Sequence, residues 1–124
     1  MSEDRKVRCA VVGLSPRSPF GRARPVVETP NTELVAVCDI LEGPAREVGE
    51  EYDIPWYTDY EQMLGQDDIE MVFIATPDAA HAPQTVAALE AGVHVLCEKP
   101  MAISIDEVHA MLDAEEKSGC KLGI

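Results

Sequence analysis

The sequence predicts a single doubly wound α/β domain, in which a parallel sheet carries helices on both faces. Short apolar runs alternate with helical stretches along all 124 residues. The runs lack the period-two alternation of half-exposed strands, so both faces of the sheet should be covered. Turn residues, chiefly glycine, proline and aspartate, separate the elements by short connections. This order is typical of parallel strands joined by right-handed helical crossovers.

The first half of the chain predicts three strands and two helices. The strands are apolar and rich in β-branched or aromatic residues, at 7–12, 33–38 and 54–57. One helix falls within 19–28, where Pro25 should shorten or delay it, and the next spans 44–52. Pro55 interrupts the third strand, which places that strand near an edge of the sheet.

The second half predicts three further strands, at 71–75, 93–97 and 121–124. Asp59, with Gln62 three residues later, begins a short helix that Gly65 ends. A helix over 83–91 stops at Gly92.

The last helix begins at a capping box formed by Ser104 and Glu107. Its spacing predicts that Val108, Met111 and Leu112 form the apolar face.

Charge and composition narrow the classes of partner and compartment. The formal net charge is -13, which argues against nucleic acid and anionic membrane as partners. No apolar run is long enough to span a bilayer, and the polar start of the chain is not a secretory signal. Six of the ten basic residues lie in the first 24 positions, where they either attract phosphate or form a solvated end.

Four cysteines occur without a C-x-x-C pair or a zinc spacing: Cys9, Cys38, Cys97 and Cys120. Three lie within predicted strands, where a free cysteine behaves as a small apolar residue. We therefore expect a reducing, cytoplasmic setting and no metal site.

Asp39 is the first candidate binding residue. It ends the second strand, 26 positions after Gly13. In dinucleotide-binding folds an acid at about this spacing accepts hydrogen bonds from the ribose hydroxyls of NAD and repels the 2′-phosphate of NADP. Aspartate is also common at strand ends, but the spacing favours the binding interpretation.

The loop after the first strand departs from the glycine-rich phosphate-binding fingerprint. Of the three glycines of G-x-G-x-x-G, only Gly13 is present. Ser15 brings a side chain where backbone should approach phosphate, and Pro16 lacks an amide donor. Either Arg17 or Ser18 supplies the contacts instead, or the loop binds a dinucleotide poorly.

A second group of candidates follows the fourth and fifth strands. Thr76 and Pro77 come after one strand, with His81 at the next helix start, and Glu98-Lys99-Pro100 follows the other. In open parallel sheets, ligands bind outside the carboxyl ends of the strands, so we expect Thr76, His81 and Lys99 to face one crevice. On their own, Glu98, Lys99 and Pro100 favour a surface charge pair that caps a strand, and the rest of the chain favours a site.

Five segments carry a resemblance to one known family. They are Ala-Val-Val-Gly at 10–13, Glu-Leu-Val-Ala-Val-Cys-Asp at 33–39, Tyr-Thr-Asp-Tyr-Glu-Gln-Met-Leu at 57–64, Ile-Ala-Thr-Pro at 74–77 with His81, and Ala-Gly-Val-His-Val-Leu-Cys-Glu-Lys-Pro-Met-Ala at 91–102. Together they resemble the N-terminal domain of the Gfo/Idh/MocA oxidoreductases, the glucose-fructose oxidoreductase and inositol dehydrogenase family. The Ala-Thr-Pro and Glu-Lys-Pro blocks are specific in combination.

The resemblance implies a Rossmann domain that binds NAD(H) or NADP(H), with NAD the expected cofactor. It implies that Asp39 and Ile40 lie by the adenosine ribose. It implies that Thr76, Pro77 and His81 lie along the nicotinamide side.

At Glu98-Lys99-Pro100 the resemblance implies a cofactor contact from Glu98 and a catalytic role for Lys99. That lysine would hydrogen-bond the reacting hydroxyl or carbonyl while hydride moves to the nicotinamide. Pro100 would fix the chain direction, through a cis bond if the family pattern holds.

The resemblance covers residues 1–124 as one dinucleotide-binding domain. Family members continue into a second domain that forms the substrate pocket, and we expect substrate binding and catalysis only with it. Three interpretations stay open: part of a longer enzyme, a cofactor-binding module without catalysis, or a remnant that acts through protein contacts. Surface that a second domain would cover should be apolar and favour self-association into a homo-oligomer.

Overall fold

A computed structural model describes residues 5–16 and 23–124. Within them the strands are β1 (Val7–Val12), β2 (Thr32–Cys38), β3 (Trp56–Tyr57), β4 (Met71–Ile74), β5 (His94–Cys97) and β6 (Leu122–Gly123). The helices are α1 (Arg24–Glu28), α2 (Glu42–Tyr52), α3 (Tyr60–Leu64), α4 (His81–Glu90) and α5 (Ile105–Ser118). A short 3₁₀ helix, Asp78–Ala80, leads into α4.

The six strands form one parallel sheet in the order β3-β2-β1-β4-β5-β6. The chain builds outward from β1 to one edge and then returns to build outward from β4 to the other. This is the strand order of the doubly wound dinucleotide-binding fold, with its switch point between β1 and β4. The predicted fold class is confirmed, and β3, which follows Pro55, lies at an edge as predicted.

Two apolar layers cover the sheet, one on each face. The alternating residues of β1 divide between them: Cys9 and Val11 join the layer under α1 and α2, and Ala10 and Val12 join the layer under α3, α4 and α5. All four side chains are at most 3% exposed. The sheet is therefore buried on both faces, which explains the absence of polar alternation in the strands.

Local side-chain chemistry fixes the ends of two helices. Asp59 caps α3 by accepting hydrogen bonds from the amides of Glu61 and Gln62 at 3.0 and 3.3 Å. Ser104 Oγ accepts from the Glu107 amide at 3.2 Å at the start of α5. The Glu107 carboxylate in turn accepts from the Ile103 amide at 3.1 Å, which completes the predicted capping box one residue earlier than its standard form.

Two details of the helices differ from the sequence-based expectation. Helix α4 begins at His81, two residues before the predicted start, because the 3₁₀ turn leads directly into it and Pro83 sits in the first turn, where no intrahelical donor is needed. The prediction for Leu112 was wrong, since this side chain is 47% exposed. It lies about 100° around α5 from the fully buried Met111, so it falls outside the apolar stripe, which continues to Ala114.

Candidate functional site

A cavity of about 400 Å³ lies at the carboxyl ends of β1, β2 and β4, where the strand order reverses. Six residues predicted for cofactor binding line it: Gly13, Ser15, Asp39, Ile40, Thr76 and Pro77. Most of the remaining lining is apolar, including Leu14, Leu41 and Ala80. An apolar cleft with a few polar groups at a switch point has the general form of a cofactor site. We call it the switch-point cleft.

Gly13 brings two strand-end loops into close contact. Its φ is +92°, and its amide donates to the Cys38 carbonyl at 3.0 Å. A Cβ placed on Gly13 would lie 2.5 Å from the Ala75 carbonyl oxygen and 2.8 Å from the Thr76 nitrogen. The glycine is therefore required by the approach of backbone to backbone, independently of any phosphate.

The carboxylate of Asp39 joins the loop after β1 to the loop after β2 at the mouth of the cleft. One oxygen accepts from the Leu14 amide and the other from the Leu41 amide, each at 2.9 Å. The Asp39 amide donates to the Tyr57 carbonyl at 3.1 Å, which extends the pairing of β2 with β3. A carboxylate has about four lone-pair directions. The two amides therefore orient Asp39 and leave acceptor capacity for ribose hydroxyls.

Cys38 also lines the cleft but is not suited to nucleophilic chemistry. Burial, followed by the nearby charges of Asp39 and Asp59, raises the pKa of Cys38 to about 12. The thiol is protonated at neutral pH, and only a thiolate is strongly nucleophilic. Cys38 therefore serves as an apolar wall.

Gln84 organises a part of the cleft that sequence reasoning missed. The Thr76 hydroxyl donates to its side-chain oxygen at 2.6 Å, and the Tyr60 hydroxyl donates to its backbone carbonyl at 2.8 Å. Burial is the main cause that raises the pKa of Tyr60, so the phenol keeps its donor hydrogen. The only sequence sign was indirect: the first turn of the helix that follows Thr76 must lie close to that loop.

The end of β5 lies outside this cavity. The Glu98 amide donates to the Ile74 carbonyl at 2.9 Å, which fixes Glu98 beside the end of β4. Lys99 and Pro100 are exposed, and the bond between them is cis. Glu98, Lys99, Pro100 and His81 do not line the switch-point cleft. We call Glu98–Pro100 the β5 turn.

His81 is buried, with 1% of its surface exposed, although the sequence predicted that this residue at a helix start would face the ligand crevice. Its Nδ1 lies 2.7 Å from the Pro100 carbonyl oxygen, and its Nε2 lies 2.7 Å from the Thr76 carbonyl oxygen. The ring thus connects the backbone of the β5 turn with the backbone of the loop after β4. Thr76 itself faces the switch-point cleft, whereas His81 and Lys99 do not line it.

The phosphate loop is described in part. Ser15 is exposed and lines the cleft beside Gly13. Arg17 and Ser18, the two alternatives predicted for phosphate contact, lie outside the described residues. In the described ranges, 5–16 and 23–124, no cluster of three metal-ligating side chains occurs, and no helix is long and apolar enough to cross a membrane.

A second, larger groove of about 530 Å³ lies between α4 and α5. Its lining includes Val86, Leu89, Glu90, Asp113 and Lys117. None of the predicted site residues contributes to it. Volume alone does not identify the site; the position at the strand ends and the fixed carboxylate favour the smaller cleft.

The chain is similar to known NAD-binding proteins. The profile of a family described as "Oxidoreductase family, NAD-binding Rossmann fold", GFO_IDH_MocA, matches residues 7–124. Inositol 2-dehydrogenase of Salmonella typhimurium is 39% identical over 92 residues, which are 73% of this chain and 27% of that protein. D-xylose 1-dehydrogenase (NADP(+)) 2 of Haloferax volcanii is 38% identical over 99 residues, 79% of this chain and 30% of that protein.

Among solved structures, the WlbA dehydrogenase of Chromobacterium violaceum in complex with NADH and UDP-GlcNAcA matches with a TM-score of 0.84 and 32% identity. The match covers 98% of this chain and 35% of that one. The chain therefore spans about a third of the length of these proteins.

Proposed function

Because the chain belongs to the Gfo/Idh/MocA oxidoreductase family and carries its NAD-binding Rossmann fold, we propose that the switch-point cleft binds NAD(H) in preference to NADP(H). We further propose that the domain serves a dehydrogenase that acts on a sugar, polyol or related hydroxy compound. The substrate class rests on the relatives, among which are inositol and xylose dehydrogenases.

The observation that carries the cofactor preference is the fixed carboxylate of Asp39. Two backbone amides hold it at the cleft mouth at 2.9 Å each. It can accept hydrogen bonds from both ribose hydroxyls of NAD, and its charge would repel a 2′-phosphate. The Haloferax volcanii relative uses NADP(+) by name, so the preference has to be measured for this chain.

The other predicted residues would hold the rest of the cofactor. Ile40, 86% exposed beside Asp39, offers an apolar surface for the adenine. Gly13 and Ser15, with Arg17, would lie near the pyrophosphate. The nicotinamide side would fall to Thr76 and Pro77, with Glu98 and Pro100. His81, whose two ring nitrogens face backbone carbonyls, would support this side without touching the cofactor.

Lys99 would act at the substrate. When bound, the nicotinamide supplies the hydride-accepting carbon. Lys99 would donate a hydrogen bond to the reacting oxygen and stabilise negative charge that develops there. Because Lys99 is exposed and outside the cleft, its substrate would contact it from the open side of the β5 turn.

The buried cysteines support a reducing, cytoplasmic setting for this domain. Burial is the main cause that raises the pKa of Cys9 and of Cys97 to about 11, so neither thiol is poised for oxidation. Both are unpaired in the structure.

The preference is tested by calorimetric titration of the chain with NADH and with NADPH. We expect NADH to bind more tightly. Asp39→Asn removes the charge, keeps the size, and should weaken NADH binding about tenfold while narrowing the difference from NADPH. Glu116→Gln, which removes an exposed acid on α5, is the matched control for net charge. Tighter binding of NADPH to the parent chain would overturn the preference, and no binding of either cofactor would favour the remnant interpretation.

Catalysis is tested separately with NAD(+) and a panel of polyols. We expect the 124-residue chain to bind cofactor without polyol-dependent NADH formation, since substrate binding is expected to need the second domain that family members carry. Turnover that Lys99→Ala abolishes would show instead that this domain is sufficient for catalysis.

A further inference from the structure

His81 places its ring between two backbone carbonyl oxygens, one in the loop after β4 and one in the β5 turn. It is the first residue of α4 and is 1% exposed. Both ring nitrogens lie at 2.7 Å from backbone carbonyl oxygens, within hydrogen-bond distance. The ring is therefore committed to the backbone and does not reach into the switch-point cleft.

The contact with Pro100 matters for Lys99 because of where the backbone is anchored. On one side of Lys99, the Glu98 amide is held by the Ile74 carbonyl at 2.9 Å. On the other side, the Pro100 carbonyl is held by His81 Nδ1. The next anchor along the chain is at Ile103, on the α5 cap. Lys99 is thus bracketed by two hydrogen bonds, and one of them comes from His81.

The hydrogen bonds to the backbone on either side of Lys99 restrict where its side chain begins. Its side chain is exposed, and a lysine side chain carries about 2 kcal/mol of rotamer entropy. Fixing the backbone on both sides narrows the region that the ammonium group can reach. A neutral imidazole has one N–H, so the tautomer decides which carbonyl receives the donated bond.

We propose that His81 is a positioning residue whose Nδ1–H donates to the Pro100 carbonyl and so holds Lys99 at the edge of the cofactor cleft. This inference rests on the proposed catalytic role of Lys99. The resemblance implied that His81 lies along the nicotinamide. In the role proposed here, His81 does not touch the nicotinamide and acts by holding the β5 turn.

Two amide substitutions separate the ring nitrogens. In His81→Asn the side-chain nitrogen falls near the position of Nδ1 and can still donate to Pro100. In His81→Gln it falls near the position of Nε2 and can donate only to Thr76. His81→Phe removes both donors and keeps a ring of similar size. Val48→Ala, at a fully buried residue of α2 on the opposite face of the sheet, is the control for loss of stability alone.

Backbone NMR order parameters of Lys99 and Met101, measured without cofactor, test whether the hydrogen bond from His81 to Pro100 holds the β5 turn. We expect values of about 0.85 in the parent and in His81→Asn, and below about 0.6 in His81→Gln and His81→Phe. Val48→Ala should lower the melting temperature and leave both residues ordered. Equal order in all variants, or order retained in His81→Gln and lost in His81→Asn, would overturn the proposal.

A second measurement tests whether the hydrogen bond from His81 to Pro100 also positions the Lys99 side chain relative to bound NADH. With saturating NADH, the Lys99 ¹³Cε resonance should shift in the parent and in His81→Asn, and the shift should be lost in His81→Gln and His81→Phe. A shift retained in all four proteins would count against the positioning role. If the parent chain binds no NADH, the proposed function fails, and the order parameters still decide whether His81 holds the turn.

Discussion

The switch-point cleft and the β5 turn lie at the same end of the sheet, but they are built differently. The cleft is enclosed by three strand ends, and its key acid is fixed by two amides at 2.9 Å. The β5 turn leaves Lys99 and Pro100 exposed, and its backbone is held by the Ile74 carbonyl at Glu98 and by the buried His81 at Pro100. This difference indicates that the side chains of the cleft are fixed within the domain, whereas Lys99, to which we assign the catalytic role, is open to contact by a substrate.

The contrast predicts its largest effect at Gly13. In Gly13→Ala the new Cβ would approach the Ala75 carbonyl oxygen to 2.5 Å at a φ of +92°. We expect a loss of about 3 kcal/mol in the free energy of unfolding, from overpacking together with backbone strain, and a loss of NADH binding. Urea unfolding measures the first and calorimetry the second.

Gly43→Ala is the matched control, because Gly43 lies in α2 and a Cβ there would meet nothing within 4 Å. Its stability should stay within about 1 kcal/mol of the parent, on the stabilising side. Equal losses in the two variants would show that Gly13 has no special place in the cleft.

The second prediction sets Lys99 against Asp39. Lys99→Ala should change NADH affinity by less than about threefold and the free energy of unfolding by no more than about 0.5 kcal/mol, since the side chain is exposed and outside the cleft. Asp39→Asn should cost about tenfold in NADH affinity. An equal loss from both variants would mean that the Lys99 side chain binds the cofactor as strongly as the Asp39 carboxylate does.

The residues of the cleft could be predicted from the sequence more completely than the contacts of the β5 turn, for physical reasons. Strand ends follow from apolar runs and their breakers, and a parallel sheet then brings Gly13, Asp39 and Thr76 together. The burial of His81 does not follow in this way, because it depends on how the first turn of α4 packs against a turn 19 residues away. The same holds for Gln84, whose contacts with Thr76 and Tyr60 arise only from tertiary packing.

A third prediction concerns pH and the opposite end of the sheet. The backbone amide of Arg8, and then the guanidinium of Arg5, lower the pKa of Glu70 below its ordinary value. Because the folded-state pKa is depressed, this contribution to stability is complete above the ordinary carboxyl pKa and is lost as pH falls through the folded value.

Unfolding curves recorded across the acidic range should show this loss, and Glu70→Gln should flatten it. NADH affinity at neutral pH should be the same in Glu70→Gln and the parent, because Glu70 precedes β4 at its amino end and the cleft lies at the carboxyl ends. A fall in NADH affinity would show that the two ends of the sheet are coupled.

The smallest predicted effect is self-association. Three large apolar side chains are exposed at the start and on the surface of α5: Ile103 at 61%, Ile105 at 71% and Leu112 at 47%. We expect weak, concentration-dependent association in light scattering, reduced in Ile105→Ser. Val27→Ser, at an apolar residue of α1 that is 42% exposed, is the control. A monomer over the whole concentration range would contradict this prediction.

The central claim is that the switch-point cleft, and not the larger groove between α4 and α5, binds the dinucleotide. The most direct test is the map of amide chemical shifts as NADH is titrated into the chain. We expect saturable changes centred on Gly13, Asp39 and Thr76. Saturable changes centred instead on Glu90 and Asp113 in the groove, or none at millimolar NADH, would contradict it.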